Sequence, residues 1–152
     1  MEWHHVEPLQ SEALIEEYEA LIGYTFPEDF RVFAKQYNGG RPEKLVFRSV
    51  RDGNAKKRVF GDVLSFNKDV SCSFWSYNRW FIPDAYDDWI AQSGGEIRNY
   101  VEIGFDGFGN LICYDIRTNE LVWIDHEQAN FSRAVEQIAP SWTAFVKSLR
   151  TK

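Results

Sequence analysis

Glu102, Asp115 and His126 are the side chains in this 152-residue chain whose types and spacing bear most directly on chemistry. Two carboxyls at a suitable separation can cleave a glycosidic bond, and an imidazole can act as a base. The same region, EIGFDGFGNLICYD from Glu102 to Asp115, contains the run Asp106-Gly107-Phe108-Gly109-Asn110. Asp106 and Asn110 fit two ligand positions of a calcium loop. Phe108 has no oxygen to offer between them, and no glutamate follows at the required distance. A phosphate cradle would need the glycines to open a helix, whereas LICYD alternates like a strand. The run therefore reads as a hairpin turn, in which glycine supplies positive φ and Asp and Asn tolerate it.

A turn at Asp106–Gly109 sets a register. It pairs Val101 with Tyr114, Ile103 with Ile112 and Phe105 with Asn110. A second turn at Arg117–Glu120 pairs Tyr114 with Trp123 and Ile116 with Leu121. One face then carries Val101, Ile103, Phe105, Ile112, Tyr114, Ile116, Leu121 and Trp123, and should meet the helices. The other carries Tyr100, Glu102, Leu111, Cys113, Asp115, Val122, Ile124 and His126. Glu102 and Asp115 are diagonal neighbours on it, about 7–8 Å apart at the backbone. No nucleophile elbow, zinc motif or oxyanion loop accompanies them. A small hydrolase using Glu102, Asp115 and His126 therefore ranks behind a binding role.

The remaining reactive side chains add little. Cys72 and Cys113 lack metal-ligand spacing and read as reduced thiols. His4 and His5 lie on a polar terminus, and Asp125-His126-Glu127 has no identifiable further ligand. Neither a metal nor a cofactor is expected.

The elements that must position these groups follow from periodicity. SEALIEEYEALI predicts a helix over 11–22, with Ser11 as cap and Gly23 as left-handed stop. A second helix is expected over 27–37, opened by Pro27, favoured by Glu28 and Asp29, striped by Phe30, Phe33, Ala34 and Tyr37, and ended by Asn38-Gly39-Gly40. Strands are expected near 44–50 and 57–64 around the Asp52-Gly53 turn. A short helix is expected from Asp84 to about Ala91, closed by Gly94-Gly95. Three strands follow near 98–105, 110–116 and 120–126. A last helix opens at Pro140 and packs Trp142, Phe145, Val146 and Leu149. This is one α+β domain over 1–152: a central antiparallel sheet, with the helices of both chain ends packed on one face.

Composition narrows the function classes. Hydrophobic residues make up 44% and charged residues 26%, as in an ordinary globular domain. No apolar run is long enough for a membrane span, and MEWHHVEPLQ lacks the basic start and apolar stretch of a secretory signal. A cytoplasmic location without membrane or nucleic-acid partners is the expectation. The net charge of -6 is unevenly spread. Residues 1–40 hold eight acids and two bases, 41–83 four and nine, 84–127 ten and two. An acidic domain repels phosphates and suits a basic protein partner.

The order of motifs resembles the SUKH superfamily, the Smi-one/Knr-four-like proteins. EEYEALIGYTFPEDFRVFAKQYNGGRP matches its opening signature, with Glu19, Gly23, Pro27, Phe30, Phe33, Asn38, Gly39 and Gly40 in place. Gly104 to Asp115, with Gly107 and Gly109, matches its glycine turn before a strand ending in Asp. VWIDHE and IAPSWTAFVKSL match its closing strand and helix. The resemblance covers about 14–149 and is weakest over 41–97. It implies a non-enzymatic binding domain. Bacterial members are mostly immunity proteins that neutralise polymorphic toxins, frequently nucleases, while fungal relatives are scaffolds in cell-wall regulation. An immunity protein would meet a basic toxin domain through an acidic, aromatic surface: Tyr100, Glu102, Asp115 and His126, with Asp84, Asp87, Asp88 and Trp89. A general intracellular interaction module is the alternative. The sequence does not set the oligomeric state.

Overall fold

In the computed structural model, which describes residues 1–82 and 87–151, both N-terminal helices end where predicted and start one or two residues later. Helix α1 (Ala13–Ile22) turns Ile15, Tyr18 and Ile22 inward. The Ser11 hydroxyl accepts the Ala13 N–H at 3.2 Å just ahead of it, and Gly23, at φ 71°, closes it. Pro27 stands one position earlier than predicted, as the residue that precedes α2 (Glu28–Tyr37). Phe30, Phe33 and Ala34 form the buried stripe of α2, while Tyr37, expected on that stripe, is 37% exposed. A short ribbon pairs β1 (Trp3–His4) with β2 (Arg41–Pro42).

The main sheet runs antiparallel in chain order: β3 (Val46–Arg51), β4 (Asn54–Val63), β5 (Tyr100–Asp106), β6 (Leu111–Asp115), β7 (Glu120–Ile124) and β8 (Val135–Ala139). It curls until β8 meets β3 at the single pair Val50–Gln137. Asp52 and Gly53 both take positive φ in the β3–β4 turn, as a two-residue hairpin requires. Strand β8 is absent from the sequence reading because VEQIA turns a glutamate, Glu136, inward. Helix α3 (Asp88–Ser93) begins later than predicted, behind an Asp87 cap, and Gly94, at φ 63°, closes it. Helix α4 (Trp142–Ser148) is capped by Ser141, whose hydroxyl accepts the Ala144 N–H at 3.1 Å.

The register departs from expectation at both hairpins. Val101 does face Tyr114, but a bulge at Ile103 sets Gly104 opposite Ile112 and Phe105 opposite Leu111. Across the next turn Tyr114 faces Leu121, and Ile112 faces Trp123. The second hairpin is thus offset by two residues from the predicted pairing. An even shift leaves each side chain on its predicted side. Val101, Ile103, Ile112, Tyr114, Leu121 and Trp123 accordingly join one core with α1, α2 and α4. Much of the aromatic content is spent there, with Phe26, Phe30, Phe66, Phe74 and Tyr114 in mutual ring contact.

The opposite face is covered as well. Tyr100, Leu111, Cys113, Val122 and Ile124 form a second core with Trp80, Ile97, Phe131 and Ala134, against which Trp89 and Ile90 of α3 also pack. No helix of the described residues is long and apolar enough to cross a membrane.

Candidate interaction surface

The glycine turn is held from within by one carboxylate. Asp106, 2% exposed, accepts the Phe108 and Asn110 N–H groups on Oδ1 at 2.8 and 2.9 Å. Its Oδ2 accepts Asn110 Nδ2 and Trp123 Nε1, both at 2.9 Å. Four donors occupy the directions a cation would need. Among the described residues no three His, Cys, Asp or Glu side chains are grouped to hold a metal ion. Gly109 takes the left-handed conformation at φ 86°, whereas Gly107 does not and instead donates its N–H to the Val59 carbonyl.

Phe108 stands at the tip of this braced turn with 76% of its surface exposed. Beside it, Asn110 orients His126. The Asn110 amide nitrogen donates to Asp106, so its oxygen is left to accept the His126 N–H at 3.1 Å and Nδ1 at 2.7 Å. Nδ1 must then carry a proton. In the neutral ring Nε2 is the bare nitrogen, 3.7 Å from Glu127 Oε1. A rigid aromatic tip with His126 beside its turn is the arrangement an interface anchor needs.

The residues predicted at a partner surface divide into two groups. Tyr100, Glu102 and Asp115 are only 6%, 6% and 8% exposed. The second core and its cover lie over their face and leave them little surface to offer a partner. Asp115 is held by Arg117, which donates Nε to Oδ1 at 3.0 Å and Nη2 to Oδ2 at 2.9 Å. The same Nη2 donates to the Tyr100 hydroxyl at 3.0 Å. Burial pushes the Glu102 carboxyl well above the usual range. His126 lies beyond the far end of β6 from Asp115, tied to Asn110. The three groups of the hydrolase reading are therefore not assembled at one point.

His126, Asp87, Asp88 and Trp89 retain surface. Asp87 caps α3 by accepting the Trp89 N–H at 2.8 Å, Asp88 is exposed in its first turn, and Asp84 lies outside the described residues. Trp89 is half-buried against Phe131, 6.2 Å away. His126, beside the glycine turn, and Phe131, against which Trp89 packs, lie on the one stretch 126–131. Phe108 was missed in the sequence as an anchor. Its mark was a large apolar residue between two turn glycines, where nothing can cover it.

The motif residues serve the fold. Glu19 Oε2 accepts the Phe26 N–H at 2.7 Å and lies 3.5 Å from Arg31 Nε. Asn38, 1% exposed, donates to the Glu7 carbonyl at 2.9 Å and to Ser65 Oγ at 2.8 Å, and accepts the Phe66 N–H at 2.8 Å. At Gly40, any Cβ would lie 2.9 Å from the Tyr37 carbonyl oxygen. No curated protein matches the chain. The model of the SMI1 / KNR4 family (SUKH-1) matches residues 10–148. With most of its length matched, the chain belongs to the SMI1 / KNR4 (SUKH-1) family.

Proposed function

We propose that this domain is a cytoplasmic immunity protein that binds and neutralises a basic, nuclease-like toxin domain without catalysis. Family membership fits an immunity or interaction domain. The observation that carries the reading is Phe108, a 76% exposed ring on a turn already braced by Asp106. Its burial by a partner needs little ordering of the turn, so most of the apolar gain becomes affinity. His126, Asp125, Glu127, Asp87 and Asp88 supply the polar and negative rim, and Trp89 supports the start of α3.

Co-expression with the toxin domain encoded beside it, followed by pull-down and survival of the host cell, tests the proposal. The expected result is protection and a stable complex. Phe108→Ala should weaken binding by about 2 kcal/mol, roughly thirtyfold, while leaving the thermal midpoint unchanged. Binding without protection would favour a general interaction or scaffold module. Unaltered affinity in the Phe108 variant would remove the turn from the interface.

A further inference from the structure

The outer face of the β3–β4 hairpin carries an unresolved electrostatic conflict. Arg48 of β3 and Lys57 of β4 are directly opposite in the register, a placement that like charges disfavour. Both are exposed, as is Arg150. Among the described residues none of the three has a carboxylate within ion-pair distance, whereas Arg51 and Arg58 of the same hairpin both reach Glu136. Arg48, Lys57 and Arg150 line one groove of about 460 Å³, with Val46, Val50 and Ile138 as its aliphatic surface.

The groove lies where β3 is only partly paired. Val46 exchanges both main-chain bonds with Arg150 at 2.9 Å, and Val50 pairs with Gln137. By the two-residue repeat of a strand, the N–H and C=O of Arg48 point toward the same edge, between those two contacts. A segment laid along the outer face there gains an aliphatic bed and three cations.

We propose that this groove binds an acidic, extended polypeptide segment. Charge complementarity favours an anionic occupant. The aliphatic lining favours polypeptide over nucleic acid, because Phe47, the ring that borders the groove, is 1% exposed and offers no stacking face. The net charge of -6 also opposes a polyphosphate. The proposal does not depend on the toxin reading.

The test uses the full chain and a fluorescein-labelled peptide of alternating Glu and Val, followed by anisotropy at low salt. A Lys-Val peptide and an oligothymidylate of similar length are the comparisons. The Glu-Val peptide should bind, and Lys57→Glu and Arg48→Gln should each weaken it at least tenfold. Phe108→Ala should leave it unchanged. Lys57→Glu should keep or raise the thermal midpoint, since it removes the like-charge pair. No binding, or equal binding by the variants, overturns the proposal. So does tighter binding of oligothymidylate, which assigns the groove to nucleic acid. A doubled sedimenting mass abolished by Lys57→Glu also overturns it, by assigning the groove to a second copy.

Discussion

Asn38 and Glu102 are both buried polar side chains, and they act on stability in opposite directions. Asn38 satisfies three groups from two segments, the Glu7 carbonyl and the adjacent Ser65 and Phe66. Asn38→Ala leaves buried donors and acceptors without partners, and should cost about 2–4 kcal/mol in urea denaturation. Glu102 is raised by desolvation alone, with no neighbouring charge to offset it. Below the ordinary carboxylate range, near ~4.3, both folded and unfolded chains hold this proton and the group costs nothing. As pH rises through that range the unfolded chain ionises first, so stability falls until the folded carboxyl also ionises. Glu102→Gln should therefore match the parent at pH 4 and show a higher denaturation midpoint at pH 8. A midpoint lowered at both pH values would mean that the carboxylate is needed in the fold.

At the scale of elements, the β4–β5 junction shows how closely the strands are fitted. A Cβ at Gly104 would lie 2.8 Å from the Asp62 carbonyl oxygen, backbone that has no free rotor to move aside. Gly104→Ala should lower stability by about 2–3 kcal/mol, read as a fall in thermal midpoint without loss of secondary structure. The bulge beside it also marks how far sequence reading could go. The two sheet faces were legible because side chains alternate with period two, and the register error at the second hairpin was even. The bulge at Ile103 carries no composition signal and was invisible. Strand β8 was hidden by the inward Glu136, which is held by Ser49 at 2.7 Å and by Arg58. The cover over Tyr100 and Glu102 was hidden for another reason. Short 3-10 turns at 79–81, 96–99 and 131–133 and one six-residue helix build it, and such turns have no periodicity to detect. An acidic sheet face was therefore legible, but not its burial, and the site had to move to Phe108 and its rim.

Over the whole molecule, charge is sorted by region, and this bears on kinetics more than on affinity. The acids of 1–40 and 84–127 outnumber bases eighteen to four, while 41–83 holds nine bases against four acids. A basic partner is thus repelled from the β3–β4 hairpin and drawn to the rest of the surface, which orients encounters before contact. Steering of this kind is screened over a Debye length of about 8 Å at physiological ionic strength. For the proposed toxin complex, stopped-flow association should slow about tenfold or more between 20 and 500 mM salt, with dissociation nearly unchanged. Phe108→Ala should do the reverse, raising the dissociation rate while leaving the salt slope of association intact, because the ring carries no charge. Removing rim charges together, with Asp87→Asn, Asp88→Asn and Glu127→Gln, should flatten that slope and leave dissociation close to the parent's. If the Phe108 and rim variants altered the same rate constant, anchoring and steering would not be separable. The division of labour between the braced aromatic tip and its acidic surround would then fail.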